Sequence, residues 1–258
     1  MFALNTRSLR KSLPLAFFFL FLLPLNVQAR EHTAIDSATQ LIVVTTKDWT
    51  ASHATLQRYE RANPREHWKA VGDPIPVVTG RNGLGWGEGV VSTEKVRGKN
   101  EPVKKEGDGK APAGVFVLST AFGYDPQEQT GWKMPYVNIS PSSECIDDTS
   151  SKYYNRLLDR SAVSPDWNSS EKMLRPDGLY RWGIFVAHNA TPPQPGGGSC
   201  IFMHIWMGPD VGTSGCTAMA QPQLESVLAW LDPALNPLLV QLPAPEYKKL
   251  RRRWKLPK

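Results

Sequence analysis

The sequence predicts a mostly β domain, a sandwich or a barrel, with one or two short helices. Two observations point there. Short apolar, β-branched runs recur along the chain between Gly- and Pro-rich turns, and only one stretch carries convincing helical spacing.

Residues 40–46 (QLIVVTT) read as the first strand. Residues 54–62 place Leu56 and Tyr59 among Gln, Arg and Glu, which fits a short exposed helix or an irregular strand. Residues 68–78 alternate and carry Pro74 and Pro76, which suits edge strands. Asn82-Gly83 and the glycines at 85, 87 and 89 form a turn-rich loop; with no Walker lysine and no following helix it is a poor phosphate cradle. Residues 115–119 and 136–139 read as strands. Residues 140–176 are polar, irregular and rich in aromatics (Tyr153, Tyr154, Trp167), as in a cap or wall over a cleft. Strands follow at 180–189, running into a loop, and at 200–206. Leu224, Val227, Leu228 and Leu231 give the one helix, behind Pro222, and residues 236–242 form the last strand.

Residues 1–29 have the pattern of a secretory signal peptide. Arg7, Arg10 and Lys11 precede an apolar run of 13 residues (13–25), and Val27-Gln28-Ala29 fits a small-x-small cleavage site. The run is short for a bilayer span of about 20 residues, and an uncleaved anchor is the alternative. Export to the periplasm or beyond is therefore expected. The remaining chain suits a single domain over residues 30–246 followed by a basic tail over 247–258. The formal net charge is +6; without the leader it is +3, and seven basic residues sit in the tail, so the body is acidic. The tail reads as a solvated end, with contact to an anionic envelope surface through Trp254 as the alternative. No motif or stacking platform points to nucleic acid. His53 and His67 have no ligand-like spacing, so no metal and no cofactor are expected.

Chemistry concentrates at residues 201–217. An apolar run delivers His204, a Gly/Pro/Asp loop turns the chain, and Gly215-Cys216 follows. A cysteine attacks as thiolate and needs a neighbouring base; a strand-end histidine can supply it. Glycine allows a tight turn whose amides can face a developing oxyanion.

This stretch resembles the catalytic motif of L,D-transpeptidases of the YkuD type, with His204 in the histidine position and Thr213-Ser214-Gly215-Cys216 as the Ser/Thr-x-Gly-Cys element. The segment Gly107-Asp108-Gly109-Lys110-Ala111-Pro112-Ala113-Gly114-Val115-Phe116 is similar to the family's GD-x-x-TP-x-G-x-F block. Gly198-Ser199-Cys200-Ile201-Phe202 resembles the lead-in of one branch. The resemblance covers roughly residues 40–243, and its loop between histidine and cysteine is shorter than the commonest form. It implies a β-sandwich acting on peptidoglycan stem peptides, with Cys216 as nucleophile and His204 as base. Gly215, Ser214 and Thr213 would orient the site or its oxyanion, and Gly198 and Ser199 would face substrate. His188 is expected to be structural or substrate-facing rather than the base. Where many relatives carry an arginine two positions after the nucleophile, this chain has Ala218. Transpeptidation, hydrolysis of the same bond and a non-catalytic wall-binding module all remain open. Three cysteines in an exported chain imply one disulfide and one free thiol. If Cys216 is the nucleophile, Cys145–Cys200 is the pairing that spares it.

Overall fold

The computed structural model describes residues 34–258; the leader expected at residues 1–29 lies outside them. Thirteen strands run in chain order: β1 (Gln40–Thr46), β2 (His53–Glu60), β3 (Lys69–Val78), β4 (Leu84–Trp86), β5 (Ala111–Gly123), β6 (Tyr136–Asn138), β7 (Ser143–Cys145), β8 (Leu157–Asp159), β9 (Glu171–Lys172), β10 (Trp182–Val186), β11 (Phe202–Ile205), β12 (Thr217–Met219) and β13 (Leu238–Pro243). The longer helices among the described residues are α1 (Gln221–Trp230) and α2 (Ala244–Leu250); residues 34–37 are also helical, and three short 3-10 turns lie in the connections.

Ten strands form one sheet in the order β10-β11-β12-β3-β2-β1-β13-β5-β4, with β6 also on β5. An additional β10–β5 pairing joins the path back on itself, from Trp182↔Gly123 to Val186↔Leu118. The result is a barrel-like closed sheet, not the two facing sheets of the expected sandwich. Closure leaves few free edges, which suits a chain of short strands that would otherwise expose backbone donors and acceptors.

β1 lies between β2 and β13, and its side chains alternate between two cores. Ile42 and Val44 pack with Phe116, Leu239 and the apolar face of α1 (Leu224, Val227, Leu228). Leu41 and Val43 pack with Val115, Val240, Leu250, Trp254 and Leu256. The first strand is therefore apolar on both faces because both faces are covered. Residues 54–62, ambiguous in sequence, are drawn into β2 by ladders on both sides, to β1 and to β3.

The C-terminal segment departs from the expectation of a solvated end. α2 continues as a turn to Trp254, Lys255 adopts φ +51°, and Leu256 N–H closes on Arg251 O at 2.8 Å. This is a helix stop of Schellman type, with a left-handed residue followed by an apolar one that folds back. Trp254 and Leu256 are buried, so Trp254 belongs to the core and is no interfacial anchor. Tyr247 OH donates to Pro257 O and Trp68 Nε1–H to Lys255 O, fixing the last residues against the β2–β3 connection. Trp254→Ala is expected to destabilise the fold by roughly 3–5 kcal/mol, read as a fall in the urea midpoint. Arg253→Ala, beside it but exposed, should change stability by less than about 0.5 kcal/mol.

Candidate active site

β11 and β12 run parallel with Met203 opposite Thr217 and His204 opposite Ala218. Residues two apart on a strand share a face, so Cys216, two before Ala218, arrives on the face that carries His204. The turn that delivers Cys216 is held by Thr213. Its hydroxyl donates to Cys216 O (2.6 Å) and accepts Gly215 N–H (3.1 Å). Thr213 is itself clamped, its N–H donating to Thr79 O and its carbonyl accepting from Arg81 N–H. At Gly212 the chains approach so closely that a Cβ would sit 2.6 Å from Arg81 Cα. Ser214 Oγ accepts from Arg81 at 2.9 Å in an exposed position. Thr213 thus orients the turn that carries Cys216. Gly215 donates its N–H to the Thr213 hydroxyl.

Cys216 and His204 both line a cavity of about 470 Å³. The thiol sulfur accepts Phe202 N–H at 3.3 Å and its S–H points at Cys200 O, 3.6 Å away. Burial raises the thiol pKa well above its ordinary value; the nearby Glu171 adds to this, while Phe202 N–H, Lys104 and Arg175 oppose it. Burial also pushes His204 down to about 4. The pair therefore rests as neutral thiol and neutral imidazole. His204 Nδ1 meets Ile205 O at 2.7 Å, a contact that a neutral ring makes by donating from Nδ1. That tautomer leaves Nε2 as the basic nitrogen. Tyr180 packs edge-on against the imidazole (5.0 Å between ring centroids) and donates its OH to Glu171 at 2.7 Å.

Most of the cavity lining comes from residues 199–216, and Asp147, Glu171 and Arg175 come from residues 140–176, the segment read from composition as a cap. That segment forms a small sheet, β8-β7-β9, built around the buried Glu144. That carboxylate accepts from Trp167 Nε1 (2.8 Å), Ser170 Oγ (2.7 Å) and Lys172. Burial alone would raise its pKa, but these donors outweigh it and hold the group at about 2. A Cys145–Cys200 disulfide ties β7 to the chain entering β11, and Cys216 is the free thiol. In the chain-entropy picture a closed loop of this length, 55 residues apart in sequence, contributes about 4 kcal/mol.

Charge in the cavity is uneven. Its two cations are paired outward, Lys104 with Asp108 at 2.7 Å and Arg175 with Asp177 at 2.5 Å. Its carboxylates meet only neutral donors. Glu106 accepts from Ser199 Oγ (2.7 Å), Tyr154 OH and a backbone amide; Glu171 from Tyr180; Asp147 from Ser169 Oγ (2.5 Å). Burial raises the pKa of Glu171.

Ser199 lines the cavity, but Gly198 and His188 do not. Gly198 is buried with φ +101° against Lys104 and His188, where it spaces the chain. His188 is 2% exposed, and both ring nitrogens are spent on backbone: Nδ1 accepts Glu88 N–H (3.2 Å) and Nε2 meets Gly197 O (3.0 Å). It is a structural pin and does not face the substrate cavity. Lys104, Glu171, Arg175 and Tyr180 line the cavity without any local pattern that marks them in sequence; the composition of residues 140–176 and the Cys145–Cys200 pairing are the signals that bring that segment to the site.

Burial pushes His188, like His204, down to about 4. The unfolded chain then binds protons between about pH 6.5 and 4 that the folded chain refuses, so stability falls as pH drops through that window. Each histidine is expected to contribute up to about 3 kcal/mol to this loss. His188→Gln should be less stable at pH 7 and should show a shallower decline from pH 6.5 to 4 in urea titrations. An unchanged slope would remove the buried neutral histidine from the account.

Comparison with known proteins agrees with the geometry. The family model of the L,D-transpeptidase catalytic domain (YkuD) matches residues 40–240. No curated protein and no solved structure gives a match. The match spans more than half of the chain and includes both strands of the Cys216–His204 pair, so the chain belongs to the YkuD family of L,D-transpeptidase catalytic domains, enzymes that act on peptidoglycan.

Proposed function

We propose that the chain is an exported cysteine acyltransferase that cuts an L,D peptide bond in peptidoglycan stem peptides and passes the acyl group to an amine. The observation that carries this reading is the shared cavity of Cys216 and His204, with His204 Nδ1 engaged at Ile205 O and Nε2 left as base. In the first step the Cys216 proton moves to His204 Nε2 as sulfur bonds to the carbonyl carbon. The leaving amine takes that proton as the C–N bond breaks, giving a thioester. An acceptor amine then attacks the thioester carbon, gives its proton to His204 and displaces sulfur, which is reprotonated. Burial keeps both partners neutral until substrate arrives, so charge develops only in the reacting complex.

An amine acceptor is favoured over water by the charge pattern. Glu106, Asp147 and Glu171 form no ion pair among the described residues, with Arg175 acting on Glu171 only at longer range, so the cavity favours a ligand with a positive group. Arg175 and Lys104 stand in the cavity where the strand position Ala218, buried opposite His204, offers no side-chain charge. Export is supported by the signal-like leader and by the disulfide.

Incubation with defined tetrapeptide muropeptides, with and without an amine acceptor, followed by mass analysis, tests the reading. The expected product carries the acceptor in place of the terminal residue, and Cys216→Ala should lower turnover by several orders of magnitude with the fold intact. Activity within tenfold of wild type would remove Cys216 as nucleophile, and tripeptide alone despite abundant acceptor would assign the chain to hydrolysis. Asp147→Asn and Glu106→Gln should each raise the acceptor KM severalfold while kcat stays within about threefold.

A further inference from the structure

A second cavity, of about 670 Å³, lies between the β2–β3 connection and the C-terminal segment and shares no residue with the catalytic one. Six basic side chains line it, Arg61, Arg65, Arg251, Arg252, Lys255 and Lys258, against one carboxylate, Glu66. Two of the six are committed. Lys255 pairs with Asp36 at 3.0 Å, and Arg61 donates to the carbonyls of Ile35, Asp36, Ala38 and Pro64. Arg65, Arg251, Arg252 and Lys258 form no ion pair among the described residues. The surface is also rigid. The tail is fixed by buried Trp254 and Leu256 and by the Trp68–Lys255 hydrogen bond, and the Arg61 guanidinium stacks 4.2 Å over the Trp68 ring. Four uncompensated cations held on a folded scaffold fit a phosphate-rich surface.

The point where the chain reaches this groove selects among such surfaces. Ile35 and Asp36, which bind Arg61 and Lys255, stand at the start of the described chain. The apolar run of residues 13–25 ends only nine residues before Ala34, a reach of at most about 30 Å. In the form that keeps this run as an uncleaved anchor, the bilayer that receives it lies within this reach of Ala34, beside the basic groove. We propose that the groove between the β2–β3 connection and the C-terminal segment is a docking site for a bilayer containing anionic phospholipid, which holds the domain against the membrane surface.

Flotation of the full chain with phosphatidylcholine vesicles, and with vesicles containing one third phosphatidylglycerol, tests this at low and at 0.5 M salt. Binding to the anionic vesicles should exceed binding to the neutral ones at least tenfold at low salt, and most of the excess should vanish at high salt. Arg65→Glu/Arg251→Glu/Arg252→Glu should abolish the excess. Lys95→Glu/Arg97→Glu/Lys99→Glu, an equal charge change at exposed positions outside the groove, should keep it within threefold. Both triple variants should retain the wild-type melting temperature within a few degrees. Equal binding to both vesicle types would overturn the proposal, as would equal losses in the two triple variants. Groove-dependent capture of soluble polyphosphate without vesicle binding would overturn it in favour of a free polyanion.

Discussion

The parallel pairing of β11 with β12 is the constraint on which the site depends. It fixes His204 opposite Ala218 and so brings Cys216 to the same face of the sheet. A shift of one residue would turn the thiol or the imidazole to the other side. The neighbouring structure protects that register. Thr213 ties the loop before Cys216 to residues 79–81, and β12 meets β3 at Ala218↔Val78. The closed sheet holds both strands from either side through β10 and β3. Chemistry that needs two side chains at a fixed separation is thus placed at strands, and the Gly/Pro loop between them, clamped at Thr213, lines the cavity.

Burial sets the electrical state of the site. In a low-dielectric cavity neither thiolate nor imidazolium is favoured at rest, and the pair waits as a neutral donor and acceptor. The segment that carries the small sheet β8-β7-β9 forms one side of the cavity, and the Cys145–Cys200 disulfide ties it to the strand that carries His204. The same wall contributes Asp147, Glu171 and Arg175. One segment therefore brings charge to the cavity and, through Glu171, holds the Tyr180 ring that packs against the imidazole.

Much of this is legible in sequence because it is local. β1 matches its β-branched run end to end, and the helix, β10, β11 and β13 follow their apolar patterns. The Cys216–His204 pair is legible because its two halves lie on one short stretch with a family motif. What is not legible depends on partners far along the chain. β12 is three residues long and exists through its neighbours. β5 extends back over Ala111-Pro112-Ala113-Gly114, poor strand formers that β4 and β13 hold in place. Trp254 reads as the aromatic of a loose basic tail, yet it completes a core that includes Ile35, Ala38, Leu41 and Val43, some 200 residues earlier in the chain. His188 reads as structural or substrate-facing by its place after a strand, and what separates the two readings, its backbone partners Glu88 and Gly197, comes from separate loops. The charges at the site escape for the same reason.

The central claim is that His204 Nε2 activates a buried neutral Cys216. The most direct measurement is the rate of iodoacetamide alkylation of Cys216 between pH 5 and 10, in wild type, His204→Ala and His188→Ala. The account predicts that His204→Ala slows alkylation at pH 7 by at least tenfold and leaves a single titration above that of an ordinary thiol. His188→Ala should remain close to wild type wherever it stays folded. An unchanged rate in His204→Ala, with the loss appearing instead in a folded His188→Ala, would contradict the account.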